Sequence, residues 1–119
     1  MVVDDEVGFT NLLKLNLERD GRFEVRIVND PNCVIEAARE FQPELVLLDI
    51  IMPGKDGGEV LAELQREPGL PDMRVIFLTA TVSIKGVEAR DGFIKGMSFI
   101  AKPVEPKKLI KRIEEELAS

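Results

Sequence analysis

The sequence predicts a single α/β domain built around an open parallel sheet. Short apolar runs alternate five times with segments whose apolar residues recur every three to four positions, which is the pattern of βαβ units. The runs Leu45–Leu48 and Val75–Leu78 are continuously apolar, as in central parallel strands covered on both faces. A chain of 119 residues accommodates one core, so we expect one domain over residues 1–119.

Three predicted strands and two helices occupy the first half of the chain. A short strand at Met1–Val3 precedes the first helix, and a second strand around residues 23–27 alternates apolar with charged residues. Asp30-Pro31 then supplies an N-cap and a first-turn proline for the second helix. The predicted apolar faces are Phe9, Leu12, Leu13 and Leu17 in the first helix and Val34, Ala37, Ala38 and Phe41 in the second.

The second half continues the same alternation. A turn-rich loop at residues 53–57 leads to a third helix around residues 60–64, and the strand Val75–Leu78 ends at Thr79. The stretch Ser83–Gly96 contains three glycines and little periodicity, so it predicts a short, irregular or mobile helix. Met97–Ala101 is the predicted fifth strand. The final helix has the apolar face Leu109, Ile110, Ile113 and Leu117.

Composition excludes several classes of function. A net charge of -6 disfavours direct binding to nucleic acid or to an anionic membrane surface, and no apolar run is long enough to span a bilayer. The single cysteine, Cys33, excludes an internal disulfide and is consistent with the reducing cytoplasm. The absence of histidine excludes histidine-based catalytic triads and leaves oxygen ligands for any metal, which favours magnesium, manganese or calcium.

Polar residues follow the predicted strands at the points where these strands end. Asp4 and Asp5 follow the first strand, Asp49 the third, Thr79 the fourth and Lys102 the fifth. Because the carboxyl ends of parallel strands meet at one sheet edge, we expect these five side chains to converge. Three close carboxylates need a cation, and Mg²⁺ accepts carboxylate oxygens while retaining waters. Such a site could bind a phosphoryl group through the hydroxyl and the ammonium, with an ionised Asp49 as nucleophile.

Each of these residues also has an ordinary structural explanation when it is considered alone. Asp49 could be a solvated loop carboxylate, Asp4-Asp5 could cap the first helix, Thr79 could close a turn, and Lys102 could be a solvated lysine. Their joint placement at one sheet edge favours the functional interpretation.

Four segments of the sequence resemble the receiver domains of response regulators, a CheY-like superfamily. They are Val2–Glu6, Leu47–Gly57 with its Asp-x-x-Met-Pro-Gly-x-Asp-Gly pattern, Phe77–Ala80, and Ala101–Pro103. The resemblance implies a flavodoxin-like (βα)5 three-layer sandwich with strand order 2-1-3-4-5. It also implies a phosphorelay signalling protein of the cytoplasm rather than a turnover enzyme.

The same resemblance implies specific roles. Asp49 would accept phosphate from a sensor histidine kinase or a histidine phosphotransfer protein, and the signal would pass to an output domain or partner that the sequence does not identify. Magnesium, with manganese as a substitute, would be held by Asp4, Asp5, Asp49 and the backbone carbonyl of Ile51. The resemblance is compatible with a monomer or with a weak dimer formed on phosphorylation.

Further residues are implied as the switch and as determinants of phosphate lifetime. Thr79 and Phe99 occupy the switch positions, although Phe99 lacks the hydroxyl of the tyrosine often found there and could be an ordinary packing residue. Ile51 and Thr81 occupy the lifetime positions. Neither supplies a carboxylate or an amide to orient water, so we expect slow self-dephosphorylation.

Three other functions remain as alternatives. A pseudo-receiver would bind partners without being phosphorylated, and a metal-dependent phosphatase would hydrolyse small phosphoesters. The complete set of acidic and basic residues disfavours the first, and the lack of a second acid near Asp49 disfavours the second. No Gly-x-Gly-x-x-Gly follows the first strand, which disfavours a nucleotide-binding module.

Overall fold

The computed structural model describes residues 1–80 and 98–118, and strands and helices alternate along the first of these two ranges. The strands are β1 Val2–Val3, β2 Ile27–Val28, β3 Leu45–Asp49, β4 Arg74–Ala80 and β5 Ser98–Lys102. The α-helices are α1 Val7–Arg19, α2 Val34–Phe41, α3 Gly57–Arg66 and the C-terminal helix α4 Pro106–Ala118, and a short 3-10 helix at Pro31–Cys33 precedes α2.

All five strands form one parallel sheet in the order β2-β1-β3-β4-β5. This confirms the predicted parallel sheet and the order 2-1-3-4-5. The two strands that flank β1 are β2 and β3, so the short β1 lies inside the sheet, as its fully apolar sequence requires. The expected helix within Ser83–Gly96 and the residue Thr81 lie outside the described residues.

The sheet separates two apolar layers, which confirms the three-layer arrangement. Alternate residues of β3 point to opposite faces: Val46 and Leu48 pack with the α2 and α3 side, while Leu45 and Leu47 pack with the α1 and α4 side. Full burial of a valine or leucine side chain contributes about 1.5–3 kcal/mol, so both faces of β3 stabilise the fold. The continuous apolar run therefore gives a strand that is covered on both faces and ends at the candidate site.

Some local predictions were wrong. The structure limits β2 to Ile27–Val28, because β1 has only two residues with which a parallel neighbour can pair. Leu12, assigned to the buried face of α1, is 57% exposed, and Thr10 takes a buried position on that helix. Asp30 caps the 3-10 helix by accepting a hydrogen bond from the amide of Asn32, one turn before α2 begins.

Strands β4 and β5 also differ slightly from prediction. Strand β4 runs through Thr79 to Ala80, and β5 includes Lys102 as its last residue. The apolar face of α4 is buried at Leu109 and Ile113, but Leu117 in the last turn is 42% exposed. Among the helices described, none is long and apolar enough to cross a membrane.

Candidate functional site

A cleft of about 290 Å³ lies at the carboxyl edge of the sheet. The residues predicted at the strand ends lie together at this edge, because β1, β3, β4 and β5 all run toward it. The residues that line the cleft are Asp5, Glu6, Asp49, Ile50, Ile51, Thr79 and Lys102.

Three carboxylates form the acidic part of the site. Asp4 is fully buried, Asp49 is 6% exposed, and Asp5 is exposed to solvent. Each offers one oxygen, and these three oxygens lie within 4.8 Å of one another. Asp4 Oδ1 accepts a hydrogen bond from the amide of Glu6 at 2.9 Å, which fixes the carboxylate at the turn between β1 and α1.

The environment of Asp49 opposes its ionisation. Burial raises the pKa of Asp49 to about 6, and the negative charges of Asp4 and Asp5 also raise it. The positive charge of Lys102 and a hydrogen bond from the backbone of Ile51 act in the opposite direction without cancelling the rise. The carboxylate is therefore mostly ionised at neutral pH, but at a cost that a nearby cation would remove.

Lys102 supplies the positive charge of the site. Its Nζ lies 2.6 Å from Asp4 Oδ2, 3.2 Å from Glu6 Oε1 and 3.7 Å from Asp49 Oδ1. Burial alone lowers the pKa of Lys102, but the ion pairs outweigh this and raise it above its ordinary value. Nζ also lies 4.5 Å from the ring centroid of Phe9, a cation–π contact that holds the ammonium over α1. The following Lys102-Pro103 peptide bond is cis.

The two predicted switch residues lie on neighbouring strands. Thr79 is 1% exposed and lines the cleft near the end of β4. Phe99 in β5 pairs in register with Phe77 of β4, and their rings stack with centroids 5.7 Å apart. Phe99 is half-buried and packs against the α2 and α3 layer of the core.

The loop after β3 is held close to Asp49 by a glycine. A Cβ atom on Gly57 would lie 2.6 Å from the carbonyl oxygen of Asp49, and the Gly57 amide donates to the carbonyl of Ile50 at 2.7 Å. Asp56 caps α3 by accepting from the amide of Glu59. Ile51, predicted to tune phosphate lifetime, stands at the cleft rim with a side chain that is 66% exposed.

Sequence reasoning missed two residues at this edge. Asn29, directly after β2, donates from Nδ2 to the carbonyl of Asp4 at 2.8 Å and to Thr10 Oγ1 at 3.0 Å. Applying the strand-end rule to the second strand would have identified it. Glu6 is the last residue of the segment Val2–Glu6 that resembles receiver domains. Its contact with Lys102 joins residues 96 positions apart, and no local sequence pattern indicates such a contact.

The donor set suits a hard divalent cation. Mg²⁺ takes oxygen ligands at about 2.1 Å and keeps several waters, so ligand oxygens on opposite sides lie about 4 Å apart. The 4.8 Å cluster of carboxylate oxygens is close to that span. Asp4 Oδ2 is buried and, despite its ion pair with Lys102, has no well-directed hydrogen bond among the described residues. The site therefore fits a cation bound by Asp4, Asp5 and Asp49.

Known proteins of similar sequence and structure share this architecture. The response regulator receiver domain family matches residues 1–114. The DNA-binding response regulator MtrA of Mycobacterium tuberculosis (strain H37Rv) is 32% identical over 118 residues, which are 98% of this chain and 49% of that protein. The chain thus spans about half the length of the MtrA relatives it matches.

Solved structures agree with the sequence matches. The receiver domain of NtrX from Brucella abortus is 31% identical, with a TM-score of 0.80 and coverage of 99% of this chain and 97% of that one. The chemotaxis protein CheY4 of Vibrio cholerae has a TM-score of 0.81 over 97% of this chain and 94% of its own, and at 18% identity it supports the fold alone. The chain belongs to the family of response regulator receiver domains, which are signalling modules of two-component systems.

Proposed function

We propose that this receiver domain accepts a phosphoryl group on Asp49 in a magnesium-dependent reaction and changes conformation to signal onward. The observation that supports this most directly is the setting of Asp49. It ends a buried strand, lines the cleft, and has Lys102 Nζ 3.7 Å from its Oδ1. The site offers a nucleophile and a phosphoryl-binding cation at one place.

The proposed phosphodonor is the phosphohistidine of a sensor histidine kinase or of a histidine phosphotransfer protein. One carboxylate oxygen of Asp49 attacks phosphorus and forms the new P–O bond. The P–N bond to the donor imidazole breaks, and its electron pair remains on that nitrogen. Asp49 must be ionised to attack, and with a pKa of about 6 it is mostly ionised at neutral pH.

The other site residues have distinct proposed roles. Asp4, Asp5 and Asp49, together with the backbone carbonyl of Ile51, would hold Mg²⁺, for which Mn²⁺ is a substitute. The metal, when bound, neutralises the carboxylates and polarises the phosphoryl oxygens. Lys102 pairs with a phosphoryl oxygen, and the Thr79 hydroxyl donates to another.

The proposed output depends on Thr79 and Phe99. Movement of the Thr79 hydroxyl toward the phosphoryl group alters the packing beside β4 and β5. Phe99 stacks on Phe77 directly across these strands, so its position is coupled to that packing. A change at Phe99 then alters the surface that an output domain or partner contacts.

Dephosphorylation is proposed to be slow. Water attacks phosphorus, the bond to Asp49 breaks, and the products are inorganic phosphate and the free carboxylate. The apolar Ile51 at the cleft rim provides no group that orients this water. Thr81, the second proposed lifetime residue, likewise supplies neither a carboxylate nor an amide to orient this water.

We infer a cytoplasmic setting and signalling through protein contact, as a monomer or as a weak dimer formed on phosphorylation. MtrA is a DNA-binding regulator of which this chain matches about half. The net charge of -6 makes the receiver domain itself a poor surface for nucleic acid. In this proposal an output domain or a partner, rather than this domain, contacts any DNA.

Phosphorylation by a small donor tests the proposal. The protein is incubated with acetyl phosphate and Mg²⁺, and intact mass spectrometry measures the adduct. We expect one added phosphoryl group, lost in Asp49→Asn and in EDTA but retained in Asp72→Asn, which removes an exposed carboxylate in the α3–β4 loop. Absence of an adduct on the unaltered protein would favour a pseudo-receiver, and turnover of a phosphoester without an adduct would favour a phosphatase.

A further inference from the structure

Glu6 occupies an unusual position for its residue type. It is the N-cap of α1, where serine, threonine, aspartate and asparagine are preferred because their short side chains reach the free amides of the first turn. The Glu6 side chain makes no such capping hydrogen bond. Its carboxylate instead lies 3.2 Å from Lys102 Nζ at the mouth of the cleft.

The three carboxylates around Lys102 are not equivalent. Asp4 and Asp49 belong to the cluster that fits a divalent cation, whereas Glu6 does not. A divalent cation held by this cluster would engage Asp4 and Asp49, and Glu6 would then be the carboxylate beside Lys102 that is not a metal ligand. Glu6 is also 65% exposed, so it stands where a phosphodonor must enter.

We propose that Glu6 is the resting counterion of Lys102 and slows phosphoryl transfer to Asp49. This inference rests on the proposed function, because there Lys102 must leave Glu6 and pair with an incoming phosphoryl oxygen. The ammonium has three N–H donors and already lies within 3.7 Å of three carboxylates, so an incoming phosphoryl oxygen must displace one of them. Glu6 is the one outside the cluster that fits a cation, so its carboxylate competes with the phosphoryl group. Glu6 is a positioning residue that acts through Lys102.

Phosphorylation rates with acetyl phosphate and Mg²⁺ test this competition. Glu6→Gln removes the charge but keeps the shape, and we expect a rate about two- to fivefold higher, the size of one exposed ion pair. The matched control is Glu40→Gln, which makes the same change in net charge on α2, where Glu40 pairs with Arg26 at 3.7 Å. Its rate should equal that of the unaltered protein.

Glu6→Asp separates the ion pair from simple repulsion of the donor. Aspartate keeps the negative charge at the mouth, but its shorter side chain favours capping of α1 and withdraws from Lys102. We expect Glu6→Asp to show most of the rate gain without loss of stability. A rate equal to that of the unaltered protein would assign the Glu6→Gln gain to donor repulsion and overturn the proposal.

A double-mutant cycle on stability gives a readout without phosphorylation. In EDTA, Glu6→Gln should lower the urea midpoint of the unaltered protein but leave that of Lys102→Met unchanged, because the lost contact is their mutual ion pair. No coupling in this cycle, or a Glu6→Gln rate equal to or below that of the unaltered protein, would overturn the proposal. If the unaltered protein acquires no phosphoryl group, the proposed function fails instead.

Discussion

Replacing Asp49 with asparagine should stabilise the metal-free domain at neutral pH. The pKa of Asp49 is raised from 3.8 to about 6, so the folded state binds more protons than the unfolded state between about pH 4 and pH 6. Stability from this group is present at low pH and is lost as the pH rises through 6. The full shift in the pKa of Asp49 corresponds to about 3 kcal/mol of unfolding free energy. An asparagine side chain does not titrate, so it would not lose this stability.

The magnitude follows from the opposing contacts in the site. Burial and the charges of Asp4 and Asp5 raise the pKa, and Lys102 offsets only part of this. We therefore expect Asp49→Asn to gain about 1–3 kcal/mol of unfolding free energy at pH 7.5 in EDTA. The gain should fall toward zero at pH 4, where the native carboxyl is protonated.

Urea denaturation at pH 4, 6 and 7.5 measures this difference. Comparing the two proteins at each pH cancels the contributions to stability that they share. Asp72→Asn is the control, because its exposed carboxylate lies away from the cleft. A gain that is the same at pH 4 and 7.5, or no gain at 7.5, would refute the reasoning. Saturating Mg²⁺ should reduce the difference in unfolding free energy at pH 7.5, because it should stabilise the unaltered protein more than Asp49→Asn.

Three further substitutions test the structure around the site. Gly57→Ala should destabilise the domain by about 1–3 kcal/mol in urea denaturation, because the new Cβ would lie 2.6 Å from the carbonyl oxygen of Asp49. Ile51→Asn should accelerate loss of the phosphoryl group several-fold in a mass-spectrometric time course, because an amide can orient water. Asn29→Ala should weaken Mg²⁺ binding severalfold in calorimetry, because it releases the Asp4 carbonyl.

Each substitution has a control within the chain. Gly8→Ala adds a methyl group to α1 where nothing lies within 4 Å, so it should be neutral or stabilising. Leu15→Asn replaces another exposed apolar side chain, one that does not line the cleft, and should leave the lifetime of the phosphoryl group unchanged. Asn11→Ala removes an exposed amide of α1 and should not alter Mg²⁺ affinity. A substitution that behaves like its control would contradict the corresponding prediction.

The alternation of strands and helices was predictable because it depends on local periodicity. A continuously apolar Leu45–Leu48 can be satisfied only between two covering layers, and the structure buries both of its faces. The convergence of Asp4, Asp49 and Lys102 was predictable for a related reason. Parallel strands share one carboxyl edge, so residues at strand ends must meet whatever the details of packing.

Local patterns could not predict how side chains share contacts across the fold. Leu12 fits the apolar period of α1, yet in the structure Leu12 is exposed and Thr10 is buried. The extent of β2 depended on β1 as its pairing partner. These outcomes are set by the neighbours of a residue in space, which periodicity does not specify.

The sequence by itself determined the sheet, its layers and the chemical groups at the candidate site, because strand length, apolar pattern and strand-end residues are local properties. Only the tertiary structure decided that Asp4 is buried while Asp5 is exposed, that Asn29 holds the Asp4 carbonyl, and that Glu6 pairs with Lys102. The physical reason is that side-chain burial and ion pairing depend on distances between atoms of separate elements. Those distances exist only after the elements have packed.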